Sequence, residues 1–143
     1  MNTSVEVIEV ANDAVASFLG RAFSALRAHR GGSALEIDAF RAVGAASGEE
    51  FADLLARQNG LVGAYADGNL VAVALVHRDS GTLMGIFVDP DFRRQGVGRR
   101  LLTHLLESEQ APYDAWTLPG DRSSKSLFES AGWKARRLTM RAE

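Results

Sequence analysis

Apolar positions recur at helical spacing in four stretches of the chain and at strand spacing in six others. Val5–Val10 alternates in part, with Val5, Val7 and Val10 against Glu6 and Glu9, and reads as a half-buried first strand. Asn12 or Asp13 then opens a helix with Val15, Phe18, Leu19, Ala22, Phe23 and Leu26 on one face, and Gly31-Gly32 stops it. Residues 33–46 carry no decisive period. Ser47-Gly48-Glu49-Glu50 is a capping box ahead of a second helix that buries Phe51, Leu54 and Leu55. Two strand-like runs, Leu61–Ala66 and Leu70–His77, flank Asp67-Gly68, a tight hairpin signal. A further turn at Arg78–Gly81 leads into Thr82–Val88. Residues 61–88 thus predict an antiparallel meander.

The second half alternates differently. Val97, Leu101, Leu102, Leu105 and Leu106 mark a third helix, and Tyr113–Leu118 a short strand ended by Pro119-Gly120. Asp121 caps a fourth helix with Ser124, Leu127, Phe128 and Ala131 inward, stopped by Gly132. Trp133–Met140 reads as a last strand. The predicted order is β-α-α-β-β-β-α-β-α-β, an α+β fold with a central, mostly antiparallel mixed sheet flanked by helices in three layers. The stretch 1–143 reads as a single domain, a common size that needs no disulfide or metal to fold.

The segment Gly85–Leu102 carries the candidate chemistry. It is a strand, a turn (Arg93-Arg94-Gln95-Gly96-Val97-Gly98) and a helix start whose first amides lack intrahelical partners. Gly96 and Gly98 remove Cβ atoms where an anion would approach, the helix dipole favours negative charge, and Arg93, Arg94, Arg99 and Arg100 flank the turn. A diphosphate fits that turn; solvated arginines on an ordinary strand–helix connection are the bland alternative. A Walker A string is absent, and the Rossmann pattern begun at Gly96 fails because position 101 is Leu.

Val88-Asp89-Pro90-x-Phe92-Arg93-Arg94-Gln95-Gly96-Val97-Gly98 resembles the acyl-CoA loop R/Q-x-x-G-x-G/A of the GCN5-related N-acetyltransferases (GNAT), and the element order on both sides is similar to that family over nearly the whole chain. Asp121-x-x-Ser124-x-x-Leu127-Phe128-Glu129-x-x-Gly132-Trp133 resembles the family's late helix. The resemblance implies that the backbone of Ile86, Phe87 and Val88 pairs with pantetheine like an added strand. It also implies that the amides of Arg94–Arg99 cradle the pyrophosphate. Arg93, Arg94, Gln95, Gly96, Val97, Gly98, Arg99, Asp121, Lys125 and Phe128 complete the implied cofactor-binding set. Asp121 fits a helix cap as well as a cofactor contact, and Arg122 and Lys125 fit solvated surface as well as the nucleotide end. The activity implied is acetyl transfer from acetyl-CoA to a primary amine, of a small molecule or a polypeptide, by direct attack in a ternary complex, with no metal. A backbone N–H near Val88 would polarise the thioester carbonyl.

The chain departs from the family at two chemical positions. Phe128 stands where a Tyr commonly protonates the departing thiolate; a positioned acid contributes about 10²–10⁴ in rate, yet a thiol of pKa about 8.5 already leaves tolerably near neutrality. Trp116, five residues before Asp121, stands where some members carry a general-base Glu. Glu36, Glu49, Glu50, Asp79 and His77 are candidate substitutes. His77 is the most attractive because an unperturbed imidazole titrates at about 6.5, although it reads more simply as a polar residue ending a strand beside a turn, and no catalytic residue is named. One strand after Trp133, where the family often has two, leaves the acceptor side open or completed by a second copy, which motivates a homodimer.

Charge adds one asymmetry. Residues 1–92 carry 6 basic and 12 acidic side chains, and residues 93–143 carry 10 and 6. The basic half suits an anionic cofactor, and the acidic residues Glu36, Asp38, Glu49, Glu50 and Asp53, opposed by Arg41, suit a cationic amine. With no Cys, a longest apolar run of Leu70–Val76 and no signal-like N-terminus, a cytoplasmic protein without membrane contact is expected. The basic residues form no aromatic-interleaved stripe, so no nucleic-acid partner is expected. The rival to an enzyme is an acyl-CoA-binding or regulatory module of the same fold without turnover.

Overall fold

A computed structural model describes residues 2–142. Five strands form one sheet in the order β1-β2-β3-β4-β5: β1 (Thr3–Val7), β2 (Leu61–Ala66), β3 (Asn69–His77), β4 (Thr82–Val88) and β5 (Asp114–Ala115). The first three pairings are antiparallel and the last is parallel. Helices α1 (Asp13–Arg27), α2 (Gly32–Val43) and α3 (Gly48–Arg57) precede β2; α4 (Val97–Glu107) and α5 (Arg122–Ser130) follow β4 and β5. The α+β class and the mixed, mostly antiparallel sheet are as predicted.

The sheet separates two cores. One face carries Leu61, Val73, Leu75 and Met84 against the buried stripes of α1, α2 and α3. There Phe23 meets Phe40, Phe51 and Phe87 with ring centroids 5.6–6.0 Å apart, and Phe40 stacks on Phe51 at 4.8 Å. The other face carries Val62, Ala64, Ala66, Ala72, Ala74 and Val76, whose small side chains admit α4 through Val97, Leu101, Leu102 and Leu105. The period-two alternation along β2 and β3 is what assigns each residue to its layer.

Four sequence-based boundaries need correction. Residues 33–46, undetermined by period, hold α2, so three helices lie between the first two strands. No side chain caps α2, whose N-cap is Gly31 in a left-handed conformation (φ 81°), so the Gly-Gly pair that reads as a stop is also a start. The first strand is Thr3–Val7, not Val5–Val10: its partner β2 begins at Leu61, and the chain then turns into the Asn12 cap of α1. The strand expected at Tyr113–Leu118 is reduced to Asp114–Ala115. The strand expected at Trp133–Met140 does not form. The two-residue β5 gives it no edge to pair with, and Leu138 and Met140 stand 79% and 89% exposed.

Candidate active site

The β4–β5 pairing is the feature that creates a site. It joins Thr82 to Asp114 and Leu83 to Ala115, and a last bond runs from the Trp116 amide to the Leu83 carbonyl at 3.0 Å. Beyond it the second limb leaves β4, with Trp116 packing into the three-helix layer. Leu118 then lies 3.4 Å from where a Cβ on Gly31, in the α1–α2 turn, would stand. The β3–β4 register skips Met84, placing a bulge in β4 at the apex of this fork. Successive backbone groups of a strand face opposite edges. Because the Asp89 amide donates to Val71 on the β3 side at 2.8 Å, the N–H and C=O of Val88 and Ile86 face the open limb. Among the described residues nothing pairs with them there.

The turn after β4 leads to the second half of the site. A 3-10 turn at Pro90–Phe92, capped by Asp89 accepting from the Asp91 amide, aims the chain. Arg94 (φ 63°) and Gly96 (φ 78°) then take left-handed conformations, a state that costs a non-glycine residue about 1 kcal/mol or more. The first intrahelical bond of α4 is Arg100 N–H to Gly96 O, so the amides of Val97, Gly98 and Arg99 have no partner in the helix. Asn12, Ser47 and Asp121 cap α1, α3 and α5 with side-chain oxygens, whereas α4, like α2, starts at a left-handed glycine with no side-chain cap. An anion accepting from these amides would take the place of the missing cap.

Gly98 ties the halves together. A Cβ there would lie 3.4 Å from both Val88 Cγ2 and Leu127 Cδ2, so the end of β4, the start of α4 and the side of α5 converge at this glycine. Phe128 is 6% exposed, in the α4 core, and stacks on Trp133 at 5.7 Å and 20°. Ile86, Val88, Val97 and Phe128 therefore share the α4 side of the sheet, with Gly98 at their meeting point, while the Phe87 ring points to the opposite, three-helix core. Arg93, Arg94, Gln95, Arg99 and Lys125 are exposed. Gln95 braces the turn by donating from Nε2 to Asp91 O at 3.3 Å. Asp121 is occupied as a cap: Oδ1 accepts from the Ser124 amide at 3.1 Å and Oδ2 from the Ser124 hydroxyl at 2.8 Å. Arg100, one of the four arginines of the turn, is directed elsewhere and donates to Thr3 O on β1 at 3.3 Å.

The acceptor side corrects the sequence reading of an open acidic field. Glu36 receives both Arg27 Nε and a terminal guanidinium N–H, each at 2.9 Å, and this partnership raises the Arg27 pKa through the hydrogen bond and then the opposite charge. Asp38 receives Arg141 at 3.1 and 3.4 Å. Arg41 is therefore not the sole counter-charge. Glu49, Glu50 and Asp53 line a separate groove on α3 with Arg57. His77 Nδ1 lies 2.6 Å from Ser80 Oγ in the β3–β4 turn, beyond the closed end of the fork. The sequence reading missed the α1–α2 turn, which carries His29 and Arg30 beside Gly31 and Leu118; the Gly-Gly signal marked it as a stop without revealing what it touches. Among the described residues, no three His, Cys, Asp or Glu side chains gather as metal ligands, and no helix is long and apolar enough to cross a membrane.

Compared with known proteins, residues 32–142 match the acetyltransferase (GNAT) domain model. The ribosomal protein bS18-alanine N-acetyltransferase of Escherichia coli K12 is 42% identical over 90 residues, 60% of this chain and 57% of that protein. The match thus spans a little over half of the relative's length. The crystal structure of the ribosomal-protein-S18-alanine N-acetyltransferase from Escherichia coli superposes with a TM-score of 0.59 at 20% identity, over 92% of this chain and 77% of the other. The diaminobutyrate acetyltransferase of Paenibacillus lautus, solved with L-2,4-diaminobutyric acid and coenzyme A, gives 0.58 at 18% identity, over 91% and 74%. These two superpositions establish a shared fold.

Proposed function

The chain belongs to the GNAT acetyltransferase family, and from that premise we propose that it transfers an acetyl group from acetyl-CoA to a primary amine of a small molecule or a polypeptide. One observation carries the reading: the uncapped start of α4 lies beside the open backbone edge of β4, joined through Gly98. The amides of Val97, Gly98 and Arg99 bind the diphosphate, aided by the exposed Arg93, Arg94 and Arg99. Ile86 and Val88 hold pantetheine in the manner of an added strand, which leads the thioester toward the fork apex.

Positioning of the two reactants supplies most of the rate, and a backbone N–H on the open edge of β4 polarises the thioester carbonyl. Phe128 packs against the cleft without offering a proton, so the thiolate leaves unassisted by that ring or takes its proton from water. The relatives support an amine acceptor, since those named act on an alanine of a ribosomal protein and on a diamino acid. The short β5 edge and the exposed Leu138 and Met140 support a homodimer completing the acceptor side. A strictly monomeric mass at high concentration counts against that part.

The test is release of free thiol from acetyl-CoA across a broad amine panel. Turnover with at least one primary amine is expected, with Phe128→Tyr raising kcat about tenfold or more. Saturable CoA binding without thiol release from any amine, and no gain from Phe128→Tyr, identifies a binding module instead.

A further inference from the structure

Three hydrogen-bonded side chains line up at the closed end of the fork. Thr82 opens β4 and is paired in register with His77 on β3 and Asp114 on β5. Its neighbour Leu83 belongs to the α4 core, so Thr82 faces the three-helix side, as Met84 does at the bulge. Residues opposite one another on adjacent strands share a face, which puts His77 on that side too. Among the described residues Thr82 is the one polar side chain that is buried, and its Oγ1 lies 3.0 Å from Ser80 Oγ. Ser80 Oγ lies in turn 2.6 Å from Nδ1 of the half-buried His77. Met84 and Trp116, where the fork opens, form the next row along the strands, about 6.5 Å from Thr82.

This chain runs in either direction. With a proton on Nδ1, the ring donates to Ser80, Ser80 donates to Thr82, and the Thr82 hydroxyl donates inward. With Nδ1 bare, Ser80 donates to the ring, Thr82 donates to Ser80, and Thr82 accepts from the interior. Exchange between the two states carries one proton from the three-helix side of the fork to the imidazole. The charged groups of the elements at this corner are turned away or exposed. Arg78 is held by Asn59 O and Gln110 O, while Arg57 of α3, Asp79 of the turn, Glu107 and Glu109 at the end of α4, and Tyr113 and Asp114 at β5 are exposed. β4 carries no ionisable side chain, and among the described residues no ion pair involves His77. Resting on the acetyl-transfer reading, we propose that His77 accepts the proton of the attacking amine, reached through Thr82 and Ser80 with water between Thr82 and the nitrogen. As nitrogen bonds to the acetyl carbon and the C–S bond breaks, the nitrogen's proton passes through water to Thr82. Thr82 passes its own proton to Ser80, and Ser80 passes its own to Nδ1. Solvent protonates the departing thiolate, and the imidazolium returns a proton to solvent, leaving amide, free thiol and the resting ring. All three side chains act through water and one another, so they are positioning residues for proton transfer.

The experiment measures kcat/KM against pH with acetyl-CoA and an amine that turns over, alongside Tm for each variant. The wild-type profile is expected to rise through the imidazole range, about pH 6–7, separately from the titration of the amine itself. His77→Gln should remove that limb and lower kcat about 10²-fold, leaving the KM for acetyl-CoA in place. Thr82→Val, which keeps the shape and loses the hydroxyl, should do the same, and Thr82→Ser should restore the rate. Combining His77→Gln with Thr82→Val should cost no more than either alone, because both cut one path. Ser80→Ala, at an exposed position, tests the same path if Thr82→Val lowers Tm. An imidazole limb that survives in His77→Gln, or losses that multiply in the double variant, overturns the inference while leaving acetyl transfer standing. Absence of thiol release by the wild type with any amine strikes the acetyl-transfer reading itself, and this inference falls with it.

Discussion

In the proposed acetyl transfer, single residues decide whether the start of α4 holds a diphosphate, and Gly98 is the sharpest case. Its missing side chain leaves an ordinary contact distance of 3.4 Å to Val88 and Leu127 for any Cβ placed there. Gly98→Ala is therefore compatible with folding, and by helix propensity stabilises by up to about 1 kcal/mol. The same methyl would cover an amide to which the proposal assigns the diphosphate. The expected outcome is an unchanged or raised Tm together with at least a tenfold loss of CoA affinity by calorimetry. Unchanged affinity would show that the diphosphate lies elsewhere. Phe128 and Trp116 make the complementary point: each keeps an aromatic ring where some family members have a proton-transferring group.

At the scale of elements, the turns hold the fork's closed end while its mouth stays open. Arg78, in the β3–β4 turn, donates from Nε to Asn59 O at 3.0 Å and from a terminal nitrogen to Gln110 O at 2.9 Å. It thereby joins the exits of α3 and α4 to the sheet, and burial lowers its pKa from the ordinary arginine value. Arg78→Ala should cost about 1–2 kcal/mol, the range for part-exposed charge-assisted hydrogen bonds. The reading is a lower urea midpoint at constant m-value, with CoA affinity retained. These elements also show what was legible in the sequence. α1, α3, α4 and the meander announced themselves because their apolar period and their caps or turns agree. α2 was hidden because Gly31, which reads as the stop of α1, is the N-cap of α2, while α1 already ends at Arg27. The last strand was over-read because alternation in Trp133–Met140 says nothing about whether a neighbouring strand is long enough to pair with.

For the whole molecule, the opposed charges of the two halves meet in part, since Arg141 of the basic half pairs with Asp38 of the acidic half. Arg93, Arg94 and Arg99 stand exposed at the start of α4, whereas Arg100 is turned to β1 and borders a groove of about 530 Å³ with Val5, Arg99 and His104. Of the acidic half, the two α2 carboxylates are answered across elements, Glu36 by Arg27 and Asp38 by Arg141. The strand–turn–helix of the proposed cofactor loop was legible because its signals are local, two glycines and a helix start within one turn. The acceptor side was not, because it depends on which distant elements meet the fork. The account's central claim concerns the backbone amides of that strand–turn–helix, and amide-resolved NMR during titration with CoA tests it most directly. The predicted result is saturable binding with the largest shifts at Ile86, Val88, Val97, Gly98 and Arg99. Binding that leaves these five amides in place and moves only the groove of Val5, Thr103 and Glu107, or no binding at millimolar CoA, would contradict it.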